Sequence, residues 1–122
     1  MSLVAPPGWP AQVRPPDAPD WERTATAWLL DICPPEYRGY RVLRGHPVVL
    51  ARFAARHVQG AQAAVNEGLS EARGVLRDVA DADTIEEAVL TWQREYARLL
   101  TEARAVALVE EALRGRRFVA RL

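Results

Sequence analysis

A chain of 122 residues with sixteen arginines, no lysine, sixteen acids and zero formal net charge has room for one domain and one sizeable core. That balance excludes the basic excess by which dedicated nucleic-acid binders neutralise phosphates, and no apolar run approaches the ~20 residues that span a bilayer. Cys33 is the single cysteine, which excludes an internal disulfide and a multi-thiolate metal cluster within one chain.

All nine prolines fall in the first 47 residues, so the chain divides into a kinked, Trp-rich third and a long stretch free to form uninterrupted helices. Residues 1–19 read as a Pro-rich extended arm carrying Trp9, either folded back on its own chain or laid on a partner's groove. Met1 to Pro10 lacks a basic n-region and an apolar core, which predicts no secretory signal and a cytoplasmic protein. Asp20 offers an N-cap oxygen, and Trp21, Ala25, Trp28, Leu29 and Ile32 share one face of a helix over about 20–33. Pro34 and Pro35 end it.

The connector 34–46 holds Gly39 and Gly45 and repeats arginine every third residue at Arg38, Arg41 and Arg44. A short helix would align these three guanidinium groups as a fork for an anion. The bland alternative pairs them with Asp31 and Glu36 while Tyr37, Tyr40 and Leu43 pin the connector down.

Pro47 suits the first position of a helix over about 47–79, whose seam is Ala51, Val58, Val65, Ala72 and Val79 with Ala55, Leu69 and Leu76 beside it. Gly60, Gly68 and Gly74 weaken this helix unless close packing uses their missing side chains. After a turn at Asp81-Ala82-Asp83, Thr84 and Glu87 form a capping box that opens a helix over about 84–114. Ile85, Trp92, Leu99, Val106 and Leu113 then recur every seven residues, which predicts coiled-coil-like packing. Gly115 is the expected C-cap, and 116–122 is a basic–apolar tail in which Arg116, Arg117 and Phe118 are candidate partner contacts.

The predicted fold is all-α, a short N-terminal helix plus a long antiparallel helical hairpin, bundle-like and completed by dimerisation. Two helices alone leave half of each apolar stripe wet, and the short helix is too small to hide the rest. A homodimer burying above roughly 1,000 Å² is therefore expected.

No catalytic constellation is visible. His46 and His57 lack chelating spacing, no phosphate-loop or nucleophile-elbow motif occurs, and the pairs Glu86-Glu87 and Glu110-Glu111 point apart on a helix. No catalytic, cofactor-binding or metal-binding residue is predicted, and neither nucleic acid nor membrane is expected as a partner. The expected function is a non-enzymatic protein–protein interaction or scaffold module built on a self-associating hairpin. The alternative is an anion- or small-ligand-sensing regulator using Arg38, Arg41 and Arg44.

The segments WLLDICPPEYRGYRVLRGHPVVLARFAARHV (28–58) and LVEEALRGRRFVARL (108–122) resemble parts of short uncharacterised helical proteins from actinobacteria. The likeness extends over most of the chain and agrees with the Arg- and Ala-rich, lysine-free composition of a high-GC genome. It brings no activity, cofactor or site residue with it.

Overall fold

The computed structural model describes residues 4–115, and every regular element among them is helical. Helix α1 spans Trp21–Ile32, a 3-10 turn spans Pro35–Gly39, α2 spans Arg41–Gly45, α3 spans Pro47–Leu76 and α4 spans Ala82–Leu113. The two long helices pack closely, with Arg52 of α3 meeting Glu110 of α4, Gly68 meeting Trp92, and Arg73 meeting Glu86.

The N-terminal arm is a succession of tight turns, where an extended run was expected. Backbone bonds run from Trp9 to Pro6, from Val13 to Pro10, from Ala18 to Pro15 and from Trp21 to Ala18. In three of these turns proline stands second (Pro7, Pro16, Pro19) and a residue of positive φ stands third (Gly8, Asp17, Asp20). That combination is the chemistry of a type II turn, and it overrides the polyproline tendency of the composition. The arm lies against the rest of the chain. Val13 and Ala18 are buried, and Trp9 donates from Nε1 to Val13 O at 3.0 Å while tilting against Trp21. Gly8 passes so close to α4 that a Cβ there would lie 2.9 Å from Nε of Arg104.

Asp20 does not cap α1 with its side chain. Its backbone is left-handed, at φ 62°, and its carboxylate pairs with Arg23 at 2.7 Å and Arg14 at 3.5 Å. Thr24 ties arm to helix instead: its hydroxyl accepts from Arg14 N at 3.0 Å and donates to Trp21 O at 2.7 Å.

Three other helix limits differ from the sequence reading. Helix α3 ends at Leu76, because Val79 N–H and Ala80 N–H both turn back to Leu76 O, and Val79 is left 76% exposed in the turn. Helix α4 begins at Ala82, two residues before Thr84, because Asp81 is the stronger cap. Its Oδ1 accepts from Thr84 N at 2.7 Å, and that bond holds the carboxyl below the usual carboxylate range. Thr84 therefore sits in the first turn and is not the N-cap. At the far end α4 stops at Leu113, with Gly115 at φ +83° donating to Ala112 O.

The core occupies one end of the α3–α4 pair. Trp21, Trp28 and Leu29 of α1, Leu43 of α2, Leu50, Ala54 and Val58 of α3, and Leu99, Val106 and Val109 of α4 form one buried cluster. Of the seven-residue series on α4, Leu99 and Val106 are buried, while Ile85, Trp92 and Leu113 are half-buried. Toward the turn the two helices run with little cover. Ala72 and Val89 remain buried between them, but Val75 and Leu90 face outward. Gly68 is the one glycine of α3 whose missing side chain is used, since a Cβ there would sit 2.8 Å from the Trp92 indole nitrogen.

Candidate functional site

The connector arginines are divided between two elements. Arg38 ends the 3-10 turn and donates from Nη2 to Oδ1 of Asp31. The backbone turns extended at Tyr40 before α2 starts, so Arg38 belongs to a different element from Arg41 and Arg44. Those two stand one turn apart on the exposed side of α2, with no acid among the described residues paired to either. Trp9 is half-buried and engaged within its own chain. Arg116, Arg117 and Phe118 lie outside the described residues.

Beside the connector the structure assembles a surface that sequence spacing did not reveal. Tyr37 meets Phe53 edge to face at 5.9 Å between ring centroids, His57 at 6.4 Å and Tyr40 at 6.2 Å. Tyr37, Arg52, Phe53, Arg56 and His57 line an open groove of about 400 Å³. Phe53, Tyr40 and Val42 all keep about half of their surface in solvent. Aromatic rings flanked by guanidinium groups offer apolar area and cation together, a composition common in protein contact surfaces.

Arg52 extends this surface toward the end of α4. Its Nε lies 2.8 Å from Oε2 of Glu110, which also accepts from Nε and Nη2 of Arg114 at 3.0 and 2.9 Å. Glu110 is the one buried charged side chain among the described residues, and two guanidinium groups offset the loss of its water. These side chains and Glu111 border a second, smaller groove of about 330 Å³.

A signal for the groove was present in the sequence. Residues 37–66 carry five arginines and both histidines but no acid. Asp31 answers Arg38 and Glu110 answers Arg52, leaving Arg41, Arg44 and Arg56 without an acidic partner among the described residues.

Cys33 lies in the core, and burial pushes its thiol up to about 11. Glu102 adds to that rise and Arg38 opposes it. A thiol held protonated at neutral pH is a poor nucleophile. Stability linked to this shift is complete below pH 9, the ordinary value, and is lost as pH rises toward about 11. Iodoacetamide at pH 8 is expected to alkylate native Cys33 at least about tenfold more slowly than the urea-unfolded chain, followed by mass spectrometry. Equal rates would show that the thiol is open to solvent.

The fold and surface thus define an all-helical protein with no helix long and apolar enough to cross a membrane among the described residues. No protein-family model, curated protein or solved structure matches the chain.

Proposed function

We propose that this chain is a non-enzymatic interaction module, an antiparallel hairpin of α3 and α4 that self-associates. The observation carrying this reading is the one-ended core. The arm, α1 and α2 cover the pair around Leu50–Val58 and Leu99–Val109, while Val75, Val79 and Leu90 toward the turn stay exposed, as does Phe53 beside the connector. Contiguous exposed apolar area marks contact surfaces in folded proteins. Zero net charge offers no general repulsion against pairing.

Light scattering at micromolar concentration tests this directly. The expected mass is that of two chains rather than the 13.6 kDa of one. A clean single-chain mass would refute self-association.

A further inference from the structure

Two exposed patches of this chain complement each other and stand too far apart to meet within one molecule. The first is the groove of Tyr37, Phe53, Arg56 and His57, set in a stretch, 37–66, that has no acid. The second is the turn end of the α3–α4 pair. Residues 73–93 there carry Asp78, Asp81, Asp83, Glu86 and Glu87 against Arg73 and Arg77, an excess of acid, beside the exposed Val75 and Val79. Asp81 is engaged at the helix cap and Glu86 with Arg73, while Asp78, Asp83 and Glu87 have no cationic partner among the described residues. One end is aromatic and cationic, the other aliphatic and anionic.

Both patches open on the same side of α3. His57 and Val75 are eighteen residues apart, five full turns at 3.6 residues per turn, so they share a face about 27 Å apart. Between them that side of α3 shows Gly60, Ala64 and Glu71, all exposed, with open space where a Gly60 side chain would stand, while Gly68 is met by Trp92 of α4. A second helix can therefore approach closely along Gly60 and Ala64.

We infer that two copies of this chain pair side by side in opposite directions, the acidic turn end of each seated in the aromatic–cationic groove of the other. Both contacts form at once around a two-fold axis near residues 64–66, so the pairing closes on itself. This inference rests on the self-association proposed above and adds the interface.

The test is a pair of charge reversals at exposed sites, Arg56→Glu and Asp78→Arg, with circular dichroism confirming that each variant folds. By analytical ultracentrifugation, each single variant is expected to raise the dimer's dissociation constant by about tenfold, because each reversal counts twice in a symmetric pair. The double variant is expected to recover most of that loss, since the exchanged charges again face opposite signs. Raising salt from about 50 to 500 mM should weaken the wild-type pair and leave the double variant similarly salt-sensitive. A dimer indifferent to both reversals would overturn the inference while leaving self-association standing. A single-chain mass at every concentration up to about 1 mM would overturn both. A mass that climbs past two chains with concentration would overturn the closed two-fold arrangement.

Discussion

Removal of residues 1–33 is expected to turn a folded chain into an aggregating one. Those residues contribute Val13, Ala18, Trp21, Ala25, Trp28, Leu29 and Cys33, nearly half of the buried cluster. Without them, the sides of Leu50, Ala54 and Val58 on α3 and of Val106 and Val109 on α4 that now meet the arm and α1 would face water. Burying a large apolar side chain stabilises by about 1.5–3 kcal/mol, so losing Val13, Trp21, Trp28 and Leu29 removes about 6–12 kcal/mol, comparable with the 5–15 kcal/mol by which domains usually stay folded. Size-exclusion chromatography with a dye for exposed apolar surface should show high-mass species at room temperature. A truncated chain that keeps the parent's size and melting temperature would reduce the N-terminal third to an appendage.

Two adjacent leucines provide the second large effect. Leu99 is 3% exposed inside the cluster, whereas Leu100, next in sequence, is 49% exposed on the outer side of α4. Leu99→Ala is expected to cost about 2–5 kcal/mol through lost burial and a cavity that the rigid helix pair cannot close. Leu100→Ala should stay within about 0.5 kcal/mol, the range of surface changes, since alanine is also the better helix former. Urea unfolding monitored by far-UV ellipticity measures both. Equal losses at the two positions would mean that α4 is rotated from the orientation described.

The seven-residue repeat on α4 carried most of the architecture because it records one face, and one face is what a close partner helix covers. Leu99 and Val106 lie buried for that reason, and Trp92 finds its place where Gly68 has no side chain. Helix limits were harder to read where two residues compete for one role. Asp81 and Thr84 both suit an N-cap, and only the folded turn shows the Asp81 carboxylate taking the Thr84 N–H. The arm misled through composition: six prolines suggest extension, but Gly8, Asp17 and Asp20 in third place convert them into turns. The aromatic–cationic groove was least legible. Tyr37 and Phe53 are separated by a 3-10 turn and two helix starts, and no periodicity links residues joined only by tertiary folding.

Placing the core at the end of α3 and α4 remote from their turn also sets the order in which the chain is completed on the ribosome. The ion pair of Arg73 with Glu86 bridges 13 residues, whereas Leu50–Val58 reach Leu99–Val109 across about forty to sixty. Closing the longer loop costs roughly 1 kcal/mol more in chain entropy, and it cannot close before the second half of α4 has been made. Trp21, Trp28 and Leu29 are synthesised some seventy residues ahead of Leu99, and until it arrives they can pack only against the arm, α2 and α3. Translation runs at about 5–20 residues per second, so that interval lasts several seconds. The chain is most exposed to misassociation during its synthesis, before the last core leucine and valines arrive.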